Sequence, residues 1–211
     1  MNKLVYKIGV IFFAVTSLSA CFKAKRTEIR IDQETKDYCL FGEGSYWIYQ
    51  DSATFAVDSI VVDKPIKYNL YESGEHNKRV WEKYSTQISL YTIDSLCGFY
   101  VELSNIGADE HSLIPCMFFT FRAEMYHNGK IGDGSPTKFK EKKDYLIING
   151  VTYNDIKIFE HHYPFYSQNA NKKEIYYWAK HVGLIREEIY EYDSLISVRN
   201  LIKYNVKPYN Q

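Results

Sequence analysis

The chain has 211 residues, a size typical of one globular domain, and its 26 basic and 26 acidic residues leave no net formal charge. This balance argues against a nucleic-acid-binding protein, which would carry a basic stripe. Aromatic residues make up 17% of the chain, with 20 Tyr, and such side chains favour the half-buried surfaces of β-sheets.

The N-terminus has the three parts of a secretory signal peptide. Lys3 and Lys7 give a positive start, an apolar run covers residues 8–15, and small residues precede Cys21. The run is shorter than the stretch of about 20 apolar residues that a transmembrane helix needs. We therefore predict that residues 1–20 are a cleaved signal peptide. An uncleaved anchor and an ordinary signal in which Cys21 has no role are the alternatives.

The sequence Leu18-Ser19-Ala20-Cys21 resembles the lipobox of bacterial lipoproteins. The resemblance implies that Cys21 is lipidated with diacylglycerol, becomes the first mature residue and gains an acyl chain such as palmitate on its amino group. Two or more acyl chains give stable membrane attachment. We therefore expect a protein of the cell envelope, held by lipid on the periplasmic side of the inner or outer membrane. Surface display is left open, because the residues after Cys21 are basic.

The mature chain is predicted to contain a tether and one β-rich domain. Residues 21–38 are rich in charge and predict a lipidated tether, and the domain is predicted over residues 39–211. Partly alternating segments predict strands at 45–50, 57–62, 67–71, 79–84, 87–93, 95–103, 113–121, 145–148, 151–159, 174–179 and 195–204, with a further strand that begins near residue 181. The fold is thus predicted to be all-β and mainly antiparallel, a curved sheet, sandwich or half-barrel of roughly ten strands. The Asn149-Gly150 pair between apolar runs predicts a tight hairpin.

Three cysteines remain once Cys21 is assigned to lipid. Cys97 and Cys116 fall in two predicted strands joined by a polar link, so a hairpin could pair them in a disulfide. The alternative is three buried thiols, with Cys39 unpaired in either case. No pair has the C-x-x-C spacing of a redox or zinc motif, and we predict no metal site and no cofactor.

Two segments carry a family resemblance. Residues 44–49 with 58–60, and residues 150–153 followed by 175–186, resemble uncharacterised lipoproteins of Bacteroidota-type bacteria, which show a "yyYapgVGlVk"-like segment late in a β-rich domain. Lys180-His181 stands where that pattern has Pro-Gly. The resemblance implies an envelope location and a β-rich fold, and it transfers no activity.

The candidate binding residues are aromatic. Trp47, Trp81, Tyr177 and Trp178 could stack on a ligand if they share a face, although aromatic residues more often fill cores. The pair His161-His162 cannot bind one metal from a regular strand, because neighbours point to opposite faces. Glu187 and Glu188 are predicted on a solvated face.

The sequence contains no recognisable catalytic motif. It has neither a Gly-x-Ser-x-Gly elbow nor a P-loop. We therefore expect a non-enzymatic envelope protein that binds a ligand or a partner, such as an envelope protein or a glycan, or that has a structural role. The alternative is an envelope hydrolase of glycans or peptides whose site is assembled only in the fold.

Overall fold

A computed structural model describes residues 27–31, 33–73, 79–91, 96–104, 137–162 and 171–209. These residues form one short helix, α1 (Gln33–Cys39), and eleven strands. The strands are β1 (Thr27–Ile29), β2 (Tyr46–Asp51), β3 (Val57–Val62), β4 (Lys67–Ser73), β5 (Arg79–Tyr91), β6 (Leu96–Ser104), β7 (Thr137–Ile148), β8 (Val151–His162), β9 (Lys172–Ala179), β10 (Gly183–Glu191) and β11 (Ser194–Asn205). The prediction of a single, mainly antiparallel all-β domain is confirmed.

All the described strands belong to one sheet. Its order is β1-β5-β3-β2-β11-β10-β9-β8-β7, and β4 and β6 also pair with β5. Only the short β1–β5 pairing among these strands is parallel. The long strand β5 pairs with β3 over residues 88–91 and with β4 over residues 79–85, so β3 and β4 follow one another along it.

The sheet is curled around an aromatic core. The rings of Tyr153 in β8 and Tyr204 in β11 lie 6.3 Å apart, although β9 and β10 separate their strands. The concave face holds Trp47 and Trp178, which are 0% and 1% exposed. Trp47 Nε1 donates to the carbonyl of Val182 at 2.6 Å, so its polar atom is satisfied within the core.

The tight hairpin predicted at Asn149-Gly150 is confirmed. The two residues join β7 to β8, and the last pair before the turn is Ile148 with Val151. Asn149 and Gly150 have φ angles of 50° and 80°, as the mirror-image turns of two-residue hairpins require. The strand β9 ends at Ala179, which pairs with Ile156 of β8. Residues 151–155 of β8 and the turn before them therefore extend past the end of β9.

The domain begins before the predicted boundary at Cys39. Residues 27–38, expected within the tether, contain β1 and most of α1, and both Ile31 and Tyr38 are buried. Tyr38 Oη donates to the carbonyl of Asp155 at 2.9 Å. The charged composition of this segment was misleading, because Lys36 and Asp37 form ion pairs with residues elsewhere in the fold. The described domain therefore includes residues 27–31 and 33–38, and the tether prediction for residues 21–26 lies outside the described residues.

Several predictions lie outside the described residues. They are the signal peptide of residues 1–20, the lipidation of Cys21 and the position of Cys116. Cys97 lies in β6, where its backbone pairs with Leu90. The Cys97–Cys116 disulfide therefore stays a prediction, whereas Cys39 is a buried residue of α1. Within the described ranges, no helix has the length and apolar character to cross a membrane.

Candidate functional site

A cleft of about 530 Å³ lies between α1, the turn from β9 to β10 and the C-terminal segment. Its volume is within the range typical of ligand sites. One set of lining residues is apolar and the other offers charges and hydrogen-bonding groups. The lining residues are Gln33, Lys36, Asp37, Leu40, Phe41, His181, Val206, Pro208 and Tyr209.

A buried ion pair fixes α1 beside this cleft. Lys36 Nζ donates to Glu82 Oε1 at 2.9 Å, and the same oxygen accepts from Tyr84 Oη at 2.5 Å. Glu82 Oε2 accepts the backbone N–H of Ile31 at 2.8 Å. Burial alone would raise the pKa of Glu82, but the bonds from Tyr84 and Lys36 outweigh it and lower that pKa. In Lys36 the same contacts outweigh burial and raise the pKa, so both groups are charged at neutral pH.

Asp37, the next residue of α1, contacts the β9–β10 turn. Its carboxylate accepts from Gln33 Nε2 at 2.8 Å and lies 3.3 Å from Lys180 Nζ. Burial would raise the pKa of Asp37, but these two partners outweigh it and lower the pKa. The Asp37 carbonyl accepts the backbone N–H of His181 at 2.8 Å. His181 has a φ of 59°, so a non-glycine residue in the left-handed region brings an exposed imidazole to the cleft.

The C-terminal segment forms the third wall. Phe41 and Pro208 form an isolated β-bridge, and Gly42 donates its N–H to the carbonyl of Lys207 at 2.8 Å. A Cβ at Gly42 would lie 2.7 Å from the Pro208 carbonyl oxygen, so this close approach requires glycine. The ring of Tyr209 packs edge-on against Tyr84, with centroids 5.6 Å apart. The cleft therefore has walls that are hydrogen-bonded to the body of the domain.

A second charged cluster lies on the concave face of the sheet. Arg199 donates from Nε to Glu187 Oε2 at 2.6 Å and from Nη1 to Asp58 Oδ2 at 3.0 Å. Burial would lower the pKa of Arg199, but the charge of Glu187 and its hydrogen bonds raise it. The arginine lies 6.0 Å from the centre of the Tyr49 ring, whose burial raises the pKa of that phenol. One guanidinium thus bridges two carboxylates, and buried ion pairs of this kind commonly have a structural role.

The neighbouring glutamate points to the other face. Glu188 Oε1 accepts from Arg186 Nε at 2.8 Å, and Glu188 Oε2 accepts from Tyr190 Oη at 2.8 Å. Both Glu187 and Glu188 are 6% exposed, so the prediction of a solvated face for them is wrong. The physical reason is that each face of the curled sheet is covered here and supplies each carboxylate with its own arginine.

The structure does not bring the four predicted aromatic residues together on an open face. Trp47 and Trp178 are core residues of β2 and β9, which excludes them from an exposed stacking platform in this fold. Tyr177 is half-buried and stacks beneath Arg186, 5.7 Å from the ring centre. Trp81 lies in β5, where its backbone pairs with Ile29 and Tyr71.

The two adjacent histidines behave as strand geometry requires. His161 is buried and His162 is exposed, with its Nε2 2.6 Å from Glu160 Oε1. Within the part of the chain that the structure describes, no group of three His, Cys, Asp or Glu side chains could hold a metal ion.

The residues of the cleft were not predicted from the sequence. Lys36 and Asp37 fell within the expected tether, and Tyr209 lies beyond the last predicted strand. One local signal was present: Lys180-His181 departs from the Pro-Gly of the resembling pattern at the position that forms one wall of the cleft.

Comparisons with known proteins do not assign the chain to a family. No family model and no curated protein matches the sequence. Two solved structures from Bacteroidales are similar in outline. One is a protein assigned as exported, with a YmcC-like fold, from Bacteroides fragilis NCTC 9343, with a TM-score of 0.43 and 10% identity over 80% of this chain and 98% of that chain. The other is a protein assigned as a lipoprotein, from Parabacteroides distasonis ATCC 8503, with a TM-score of 0.40 and 12% identity over 79% and 99%. At these scores the similarity transfers neither a site nor an activity.

Proposed function

We propose that this chain is a lipid-anchored protein of the bacterial cell envelope that binds a glycan in the cleft beside α1. The observation that carries the binding role is the cleft itself, where an aromatic ring and apolar side chains face hydrogen-bonding groups. The location rests on the signal peptide and on the Leu-Ser-Ala-Cys21 sequence, which support acylation of Cys21.

The chemistry of the walls suits a sugar. The phenol of Tyr209 offers an apolar ring edge with a polar tip, while Gln33 and Asp37 offer hydrogen-bonding atoms on α1. His181 adds an imidazole that can donate or accept. A hydroxyl-rich ring with one apolar face uses both kinds of wall. No arrangement among the described residues favours the hydrolase alternative, which stays a prediction.

Binding is tested by titrating soluble peptidoglycan fragments and chito-oligosaccharides into the mature Cys21→Ala protein by calorimetry. Tyr209→Ala is expected to weaken binding about fivefold, equivalent to about 1 kcal/mol. The matched control is Tyr192→Ala, which changes an exposed tyrosine in the β10–β11 turn. Equal effects of the two substitutions, or no heat with any of the sugars, would contradict the proposed ligand. Crosslinking in the native envelope would then identify a protein partner.

The anchor is tested separately by metabolic labelling with an alkyne fatty acid. The wild-type chain is expected to take up label and to sediment with membranes, and Cys21→Ala is expected to lose the label and move to the soluble fraction. Membrane attachment of the unlabelled variant to the same extent as wild type would contradict lipid anchoring.

A further inference from the structure

Two parts of the domain project past the same end of the sheet. The pairing of Ile156 with Ala179 marks where β9 ends, and residues 151–155 of β8 continue beyond it. The strand registers across β10, β11, β2 and β3 relate this end of the sheet to β5. They place the pair of Val62 in β3 and Ile88 in β5 at the same end as the pair of Ile156 and Ala179. Residues 79–87 of β5 continue beyond that pair. The β7–β8 turn and the first half of β5 therefore both extend past the same end of the sheet.

The N-terminus of the described domain lies on this projecting part. Thr27 pairs with Arg79, the first residue of β5. The backbone from Cys21 to Thr27 can span about 20 Å when fully extended. If Cys21 carries the lipid, this end of the sheet, and the β7–β8 turn with it, faces the membrane.

The tip of the β7–β8 hairpin exposes apolar side chains. Tyr145, Ile147 and Val151 are 61%, 60% and 47% exposed, and they surround the turn at Asn149-Gly150. Tyr145 and Ile147 share one face of β7, since they are two residues apart. Tyrosine beside an aliphatic residue is typical of the interface between headgroups and acyl chains.

Three lysines of β7 have their charges balanced by nearby carboxylates. Lys140 lies 3.1 Å from Glu160, Lys142 lies 2.6 Å from Asp155 and Lys143 lies 3.3 Å from Glu141, measured between the charged atoms. Each of these three lysines thus has a carboxylate partner on the same hairpin. The attraction that the tip offers is therefore apolar, and it depends little on anionic lipid.

We propose that the tip of the β7–β8 hairpin, formed by Tyr145, Ile147 and Val151, is a second membrane contact that inserts into the interface of the leaflet holding Cys21. The occupant of this surface is lipid, because the tip projects toward the anchored end and carries apolar side chains with balanced charges. The orientation rests on the proposed lipid anchor. The insertion itself is a property of the hairpin and is measurable without the anchor.

Insertion is tested with the mature Cys21→Ala chain and phosphatidylcholine vesicles that contain brominated lipid. Ile147→Trp places an indole on the tip, and Leu195→Trp places one on a comparably exposed site of β11 at the opposite end of the sheet. Brominated lipid is expected to quench the emission of Ile147→Trp well beyond that of the parent and of Leu195→Trp. Equal quenching of the two variants, or none above the parent, would overturn the proposal.

Vesicle partitioning gives a second measurement that needs no new tryptophan. The double substitution Tyr145→Ser with Ile147→Ser is expected to lower the partition coefficient about tenfold. Tyr192→Ser with Leu195→Ser is the matched control, and it removes the same residue types from the opposite end. Melting temperatures of both variants report whether they fold. A control that weakens partitioning as much as the tip variant would contradict the proposal, as would binding that requires phosphatidylglycerol and disappears in salt.

The proposals of lipid anchoring and of hairpin insertion can be refuted independently of each other. An unlabelled Cys21 would refute lipidation and leave the quenching result intact. An unquenched tip in a protein that is acylated would refute insertion alone.

Discussion

Replacing Glu82 by glutamine removes the charge that holds α1 against the sheet. The carboxylate accepts hydrogen bonds from Lys36, Tyr84 and the backbone of Ile31, and Lys36 is left with a side chain only 14% exposed. Removing one partner of a buried ion pair costs about 3–5 kcal/mol. Because glutamine keeps an acceptor and Lys36 retains some contact with water, we expect a loss of about 2 kcal/mol. For a domain of this size that lowers Tm by about 4–8 °C.

Thermal unfolding followed by circular dichroism at neutral pH measures this loss. The double variant Lys36→Met with Glu82→Gln has no unpaired charge and is expected to regain at least about 1 kcal/mol relative to the sum of the single losses. A Glu82→Gln variant that melts within about 1 °C of wild type would refute the reasoning. Additive losses in the double variant would show that the two groups do not interact as described.

Three further substitutions test other contacts. Ser197→Ala removes the 2.6 Å hydrogen bond that does most to lower the pKa of Asp51 to about 2. Wild type should be more stable than this variant by about 1 kcal/mol at neutral pH. In denaturant titrations this difference in stability should persist above pH 3.8 and disappear as the pH falls to about 2. Gly183→Ala should lower stability by about 2 kcal/mol in the same titrations, because φ is +97° and the added Cβ would meet the Phe41 ring at 3.2 Å. Trp47→Phe should lower stability by about 1–3 kcal/mol in thermal unfolding, because it leaves a void and an unsatisfied Val182 carbonyl. Unchanged stability of any of these three variants would contradict the contact that it removes.

Local turn chemistry was readable from the sequence. Asn149-Gly150 is a hairpin turn because its residues tolerate positive φ, and that preference needs no knowledge of the rest of the chain. The turn after Asp51 is also local, since the Asp51 carboxylate accepts the backbone N–H groups of Ala53 and Thr54 at 3.0 and 2.7 Å. Strands joined by such turns could therefore be located.

The burial of charged residues could not be read in the same way. Glu187 and Glu188 follow one another, and an alternating strand with one dry face would expose one of them. Arg199 and Arg186 pair with them on opposite faces, and the first of these pairings depends on the register between β10 and β11. The sequence contains the arginines but not the register.

The same limit explains why the cleft was missed. Residues 33–38 were assigned to a tether because that segment is charged, yet Lys36 pairs with Glu82 in β5 and Asp37 pairs with Lys180. A seven-residue helix is too short to be stable alone, so these distant partners are what make it a helix. No local pattern reports contacts made across such separations.

The helix also changes what the proposed lipid anchor implies. A free tether over residues 21–38 would let the domain move about 60 Å from the bilayer, whereas one over residues 21–26 restricts it to about 20 Å. A short tether raises the effective concentration of the domain at the membrane, so even a weak contact by the β7–β8 tip becomes significant. Since α1 forms one wall of the cleft and follows β1, the first described strand, in the chain, the proposed ligand would be bound close to the membrane if Cys21 carries the lipid. A glycan that reaches this cleft must therefore come within a few tens of ångströms of the leaflet, which favours membrane-proximal glycans over distant ones.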